Sequence, residues 1–355
     1  PSPPGHPRTK TPRRVKMHVR ERSVGWLRNE RARWVGLGML LLLALLLPVV
    51  LRESYLLSLL VLILANAQAG AAWNLAGGLA GQMSFGHAAF FGLGAYASAM
   101  LFNAHVPFGA MLLGGALAAV FAVGIGYLCL RLRGFYFALA TFALAEVMRI
   151  VARNWAGFTN GVLGIFLDAK SFQMLGGWLD LGKLSRVHYY FFLISLTTLT
   201  VTATWMIRRR KLGYFFQALR EDEHAALAVG INTTYYKILA LAISGFFTAF
   251  AGSFYALYTQ YVSPDEVFGM FFSVKVIFVS LVGGVGTIWG PVVGAVVMTV
   301  LEEWLRVYFP YSYEFIYGLL IVVVMLFMPA GIMGKVGEWT AGLEGRTTEG
   351  AVTGS

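Results

Sequence analysis

Lys275 stands out chemically, because it sits inside the apolar run SVKVIFVSLVGG. A charged amine in the middle of a membrane helix costs on the order of 2.5–3.5 kcal/mol, so it needs a partner. It lies about seven residues, roughly 10 Å, below the end of its run at 1.5 Å per residue. Glu302 and Glu303 sit at a similar depth on a later run, as does Glu146. An intramembrane ion pair of Lys275 with Glu302 or Glu303 is the expectation. The alternative is a lysine that lines a water-filled path and meets a substrate carboxylate. Glu146 has Arg149 three residues on and reads as a local pair on one helix face. A second polar set, Asn74, Gln82, Ser84 and His87, lies at or near a helix break, and Thr141 adds a hydroxyl on another helix. In lipid such groups need partners or water. Two readings stay open: they line a substrate path, or they satisfy broken backbone hydrogen bonds and bridge helices.

Covalent chemistry finds no support. The pattern Gly177-x4-Gly182-Lys183 imitates a phosphate loop, but Leu184 stands where Ser or Thr must reach magnesium. The histidines (6, 18, 87, 105, 188 and 224) show no ligand spacing, so no metal is expected. The single cysteine, Cys129, excludes a disulfide framework. No paired catalytic carboxylates, HExxH or Ser/His set on helices supports an intramembrane enzyme. No cofactor is implied, and any energy must come from another chain.

The element that would receive such energy is the polar segment at 212–232, LGYFFQALREDEHAALAVGIN. It follows Arg208, Arg209, Arg210 and Lys211 at the end of an apolar run, and basic clusters beside spans mark the cytoplasmic side. Phe215, Phe216, Leu219 and Ala226 form an apolar stripe on a short helix, flanked by Arg220, Glu221, Asp222 and Glu223. Such a ridge suits docking into a groove of a soluble partner. Gly230 ends that helix, as glycine does just past a helix terminus.

The elements that carry these residues follow from composition. Only 13% of residues are charged and 58% are hydrophobic. Soluble domains carry about 25% charged residues, so the class is an all-α polytopic membrane protein. About ten transmembrane helices are expected: 34–51, 55–76, 84–102, 108–130, 135–153, 188–207, 237–261, 268–281, 291–309 and 313–328. The eighth is short for a span, and is tilted or continues into the glycine run after it. With the N-terminus inside, Arg131, Arg133 and the cluster at 208–211 also fall inside, which fits both termini cytoplasmic. Residues 154–187 then form an external segment with room for a short surface helix, and 208–236 a cytoplasmic one. Residues 1–33 hold ten Lys/Arg against Glu21 and Glu30. They read as a basic, mostly disordered cytoplasmic arm that meets anionic lipid, not a nucleic-acid site or a cleavable signal peptide. Residues 34–330 form the transmembrane domain, and 331–355 a flexible tail.

Two glycine-rich stretches look alike, NLAGGLAGQMSFGHAAFFGLGAY at 74–96 and SLVGGVGTIWGPVVGAVV at 280–297. Gly77 with Gly81, Gly283 with Gly284, and Gly290 with Gly294 suit close helix packing in lipid. Interrupted, glycine-rich segments in corresponding halves also mark transport paths.

On GQMSFGHAAFFGLGAY (81–96), RGFYFALATFALAE (133–146), NWAGFTNGVLGI (154–165), ALREDEHAALAVGIN (218–232) and SLVGGVGTIWGPVVGA (280–295), the chain resembles the LivM-type permease subunit of branched-chain amino acid ABC importers. The resemblance covers residues 56–328. It implies an inner-membrane permease subunit without its own ATPase site, passing Leu, Ile or Val by alternating access. It implies four partners: a homologous, LivH-like second permease subunit, two cytoplasmic ATPase subunits and a periplasmic binding protein. It assigns residues 212–232 to the segment that docks on the ATPase. Three positions depart from the family pattern: Leu227 and Lys275 stand where relatives carry Glu, and Asn160 where the external loop has Gly. The Lys275 departure keeps a second substrate class, urea or short amides, in view. A stand-alone secondary transporter or channel is the remaining rival, and it leaves the polar segment unexplained.

Overall fold

The computed structural model of the chain describes residue 48 and residues 54–104, 107–129, 132, 134–167, 185–327 and 331–335. The chain divides into two units, Pro1–Val50 and Leu51–Ser355, and every element below belongs to the second. The basic arm, the helix expected at 34–51, the phosphate-loop lookalike and the tail beyond 335 lie outside the described residues. Residues 331–335 are helical.

Apolar runs become helices because lipid offers the backbone no partner, and an α-helix pairs its groups internally. The long helices are α1 (Ser54–Asn74), α2 (His87–Asn103), α3 (Pro107–Cys129), α4 (Phe135–Asn154), α6 (Arg186–Arg209), α9 (Thr233–Thr259), α11 (Met270–Gly283), α12 (Gly290–Tyr308) and α13 (Tyr313–Phe327). Short helices lie between them: α5 (Ala156–Thr159), α7 (Lys211–Glu221), α8 (Glu223–Ala228) and α10 (Pro264–Val267). Among the described residues, six stretches are long and apolar enough to cross a membrane: Tyr55–Leu79, Gly109–Cys129, Phe135–Asn154, Arg186–Arg209, Thr233–Thr259 and Pro264–Gly283. Helices α2 and α13 are shorter, with 17 and 15 residues, and α12 carries Glu302, Glu303 and Arg306. The class is an all-α polytopic membrane protein.

Several boundaries differ from expectation for local reasons. Helix α9 starts at Thr233 because Asn232 Oδ1 accepts from Tyr235 N at 3.0 Å and caps it. The eighth expected span gains length upstream, not in the glycine run: α10 precedes α11, and together they give Pro264–Gly283. In the segment after α4, β1 (Ile165–Phe166) pairs antiparallel with β2 (Tyr261–Val262). Asn160 there has φ 61°, and its side chain donates to Gly164 O at 2.7 Å. Asparagine is the side chain that best tolerates a glycine-like left-handed backbone, which explains that departure from the family pattern.

Helices α1 and α9 pack on each other, and each organises its own neighbours. Helix α9 lies along α2 and α3, while α1 lies along α6, α11 and α12. The α2–α9 contact is backbone to backbone. A Cβ on Gly94 would stand 2.1 Å from Ala249 O, and one on Gly252 1.9 Å from Phe91 O. Outward faces of α3, α4 and α13 carry Val120, Tyr127, Phe135 and Leu326 exposed, as suits a chain surrounded by lipid or partner helices.

Candidate functional site

Helix α1 does not stop cleanly. After Asn74 it widens into a π-helical turn, Leu75–Leu79, and residues 80–86 run without helix to the start of α2. A π turn shifts the backbone pairing and is a frequent mark of functional sites. The second glycine stretch breaks in parallel: Gly284 has φ 121° and Gly286 φ 77° before α12 begins at Gly290. The two breaks meet. Asn74 Oδ1 accepts from Gly286 N at 2.8 Å, and Asn74 Nδ2 donates to Thr287 O at 2.8 Å. Asn74 thus bridges the two glycine stretches.

The other residues of the first polar set are spent on the backbone. Trp73 Nε1 donates to Ser84 O at 2.9 Å, and Gly86 N donates to Ser84 Oγ at 3.2 Å. Thr141 Oγ1 accepts from Phe85 N at 3.1 Å and donates to Ala138 O at 2.9 Å, so α4 holds the break in place. His87 Nε2 lies 2.8 Å from Ser244 Oγ, which donates to Ala72 O at 2.6 Å. With the hydroxyl proton committed to Ala72, the imidazole carries its own on Nε2. Asn74, Ser84, His87 and Thr141 are fully buried, whereas Gln82 keeps partial exposure, its amide N donating to Ala76 O at 2.9 Å and its side chain to Ala80 O at 3.4 Å.

The glycines divide into two groups. Gly283, Gly290 and Gly294 lie where the backbones of α11 and α12 approach each other closely. A Cβ on Gly283 would stand 1.7 Å from Gly290 O, one on Gly290 2.3 Å from Gly284 O, and one on Gly294 1.9 Å from Val279 O. Gly284 ends α11 in a conformation that favours glycine. Gly77 and Gly81 do not form a helix-packing pair. Gly77 sits in the π turn against the ring of Trp73 on its own helix, and Gly81 lies beyond the helix with φ 70°, beside Arg220. The break moves both glycines out of α-helical register, so their spacing of four no longer defines one face.

The polar segment is two helices rather than one. Asp222, with φ −155°, interrupts it and caps α8, accepting from His224 N at 2.7 Å and Ala225 N at 3.1 Å. The Ala225 and His224 amides hold the Asp222 carboxyl below its ordinary range. Gly230 ends α8 with φ 83°. The expected docking ridge points the wrong way: Phe216, Leu219 and Ala226 are buried inside this chain, and Phe215 packs its ring 4.7 Å from that of Tyr236. An amphipathic stripe on a segment tied at both ends finds its own protein first. Glu223 pairs with the buried Lys237 at 2.5 Å and fastens α8 to α9. The outward face carries Glu221, His224, and the exposed Tyr214, Leu227 and Val229. Arg220 reaches back from the last turn of α7 and donates from Nη1 to Gly78 O at 2.9 Å, in the π turn.

Away from the breaks, Lys275 Nζ lies 2.7 Å from Glu302 Oε2. Glu302 is also met by Arg306 at 3.3 Å, while Glu303 faces Arg306 at 3.9 Å and Tyr55 at 3.3 Å. Arg149 joins Glu146 at 2.5 Å and also Asp265, which ties α4 to α10. Sequence reasoning missed Ser244, Ser273 and Lys237. Ser273 Oγ accepts from Ala88 N at 2.9 Å, so α11 caps an unpaired amide at the start of α2. A single serine in an apolar helix carries no signal of its partner, whereas Lys237 beside a predicted span was open to the reasoning used for Lys275.

Broken spans that meet through glycine backbone, with a short helical segment fastened to them, define a multi-helix membrane transport component. The family model described as branched-chain amino acid transport system / permease component matches residues 55–328, and the chain belongs to that family. The permease protein LivM of Salmonella typhimurium, of a high-affinity branched-chain amino acid transport system, is 30% identical over 285 residues, 74% of this chain and 66% of its own length. The permease protein LivH of Escherichia coli (strain K12) is 24% identical over 285 residues, 73% of this chain and 87% of its own. LsrC of Yersinia pestis (strain Pestoides F), an autoinducer 2 import system permease, is 28% identical over 187 residues, 48% of this chain and 52% of its own. The chain thus spans just under two thirds of the length of the LivM relative. No solved structure matches the chain.

Proposed function

We propose that this chain is a membrane-spanning permease subunit of an ATP-driven importer in a bacterial-type inner membrane, passing Leu, Ile and Val inward by alternating access. About ten helices span the membrane, with both termini and the polar segment on the cytoplasmic side, which Arg208–Arg210 and Lys211 mark, and the basic arm at residues 1–33 meets anionic lipid. Its partners are a homologous LivH-like permease subunit, two cytoplasmic ATPase subunits and a periplasmic binding protein. The chain itself performs no covalent step.

The observation that carries this reading is the polar segment itself. It is fastened to α9 by Glu223–Lys237 and to the π turn by Arg220, and it exposes Tyr214, Leu227 and Val229 among polar residues such as Glu221 and His224. A soluble partner that grips this face moves the spans it is tied to. The ion pair of Lys275 with Glu302 also removes the reason for favouring urea or amides, since the lysine is already neutralised within the chain.

The test is a pull-down from detergent-solubilised membranes, comparing wild type with a chain lacking residues 213–230. An ATPase subunit and a second permease that co-purify with wild type, the ATPase only when the segment is present, support the reading. A wild-type chain that purifies alone and transports in liposomes without ATP contradicts it.

A further inference from the structure

We propose that Arg220 is the positioning residue that transmits motion of the polar segment to both glycine-rich breaks, holding them together in this conformation and letting them part when α7 shifts. The inference rests on the permease reading above. It is carried by a convergence of three segments that are remote in sequence. The guanidinium donates from Nη1 to Gly78 O at 2.9 Å, within the π turn. Across from it stands Gly286, where a Cβ would fall 2.0 Å from Nη1 and 2.9 Å from Gly78 O. The same Gly286 donates its amide to Asn74 Oδ1, and a Cβ on Gly78 would collide with that oxygen at 1.9 Å and with Gly286 N at 2.7 Å. On the near side, Gly81 has φ 70°, and a Cβ there would lie 3.1 Å from Arg220 Cα. Three glycines from two stretches therefore make a slot shaped around one arginine side chain and the backbone that bears it.

The chemistry suits a latch that must open. Gly78 belongs to a π turn, where backbone pairing is shifted and a carbonyl can turn outward to an external donor. Its partner is a cation on a neutral carbonyl, with no counter-charge in the contact. Moving such a cation into water costs far less than pulling apart a buried ion pair. Arg220 lies between two fixed points of the segment: Phe216 and Leu219 buried on one side, and Glu223 clamped to Lys237 on the other. A rigid displacement of α7 and α8 must therefore carry the guanidinium with it. Arg220 is an exposed residue of the segment, yet its Nη1 turns back to a carbonyl of its own chain.

The experiment uses the complex co-purified from membranes and placed in proteoliposomes. Arg220→Met, Arg220→Lys and wild type are compared for co-purification of the ATPase, ATP hydrolysis and uptake of radiolabelled leucine per ATP hydrolysed. Coupling between linked sites is ordinarily on the order of 5–150-fold, so uptake per ATP is expected to fall about tenfold or more in Arg220→Met while the ATPase still co-purifies and hydrolyses. Arg220→Lys, which keeps a charged donor, recovers part of the loss. A merely structural arginine would lower the yield of complex and leave the ratio unchanged. If Arg220→Met does not assemble, Arg220→Gln carries the test, because it removes the charge and shortens the reach to Gly78 O while leaving the glycine backbone of both breaks unaltered. The same loss of coupling supports the proposal, and wild-type uptake per ATP in either assembled variant overturns it. If wild type itself takes up leucine without ATP, the permease reading fails, whatever Arg220 does.

Discussion

The two ends of the helix bundle are held by different chemistry. Around the glycine breaks, side chains contact backbone, Arg220 on Gly78 O and Asn74 on Gly286 and Thr287, while the polar segment below them adds the Asp222 cap of α8 and one ion pair, Glu223 with Lys237. Toward the other end of α11 and α12, side chains contact side chains of opposite charge: Lys275 with Glu302, Arg306 with both glutamates, and Arg149 with Glu146 and Asp265. A buried ion pair is expensive to separate, because each charge left behind lacks both water and partner. A hydrogen bond to backbone is worth about 0.5–1.5 kcal/mol net and is readily exchanged for water. The ion-paired end is therefore the fixed end, and the glycine-backbone end is where small movements are cheap.

The strongest way to break that contrast is at Glu302. Glu302→Met leaves Lys275 buried without its partner and should cost about 3–5 kcal/mol, read as a lowered thermal midpoint of the detergent-purified chain. Adding Lys275→Met should recover most of the loss. A double variant no more stable than the single would mean that the pair does not act as a unit. Asn74→Leu tests the glycine-backbone end. It strands Gly286 N and Thr287 O at a cost of about 2–3 kcal/mol, concentrated locally. Hydrogen exchange should rise at residues 284–289 and in the π turn while α12 near Glu302 stays protected; a uniform rise along α12 would show that the two ends are not independent.

Two smaller effects sharpen the comparison. Arg149→Met should cost only about 1 kcal/mol, because Asp265 and Glu146 are partly exposed, and its effect should shrink in high salt. The least is expected of Asp222→Ala, which removes the cap of α8 and should speed exchange at His224 and Ala225 without altering global stability. The pH sign follows from the lowered folded value of Asp222. Its capping contribution is complete above the ordinary aspartate value of about 3.9, and is lost as pH falls through the lower folded value. Protection of α8 that declines on raising the pH instead would rule out this carboxylate as the cap.

The sequence disclosed most where a single residue demands an explanation by itself. Lysine in an apolar run requires an acid at its depth, which narrowed the partner to Glu302 or Glu303. Only the facing of α12 toward α11 separates these two neighbours, and Glu302 is the one turned inward. Gly230 was legible as a helix end because positive φ is glycine's commonest use. The facing of Phe216 and Leu219 was not: an amphipathic stripe says that a face is buried, never against what. Both glycine stretches were legible as breaks, yet their union through Asn74 joins residues 212 apart, which no local pattern encodes. Arg220 was visible only as a flanking charge, since its inward turn depends on a carbonyl freed by a π turn that composition does not announce.

The account's central claim is that substrate movement through this chain is driven by a partner's ATP. The most direct measurement is uptake of radiolabelled leucine by proteoliposomes holding the co-purified complex and the periplasmic binding protein, with ATP or a non-hydrolysable analogue at the ATPase. Uptake that requires hydrolysable ATP and disappears when residues 213–230 are removed is the predicted result. Equal uptake with the analogue, or by this chain alone, would contradict it.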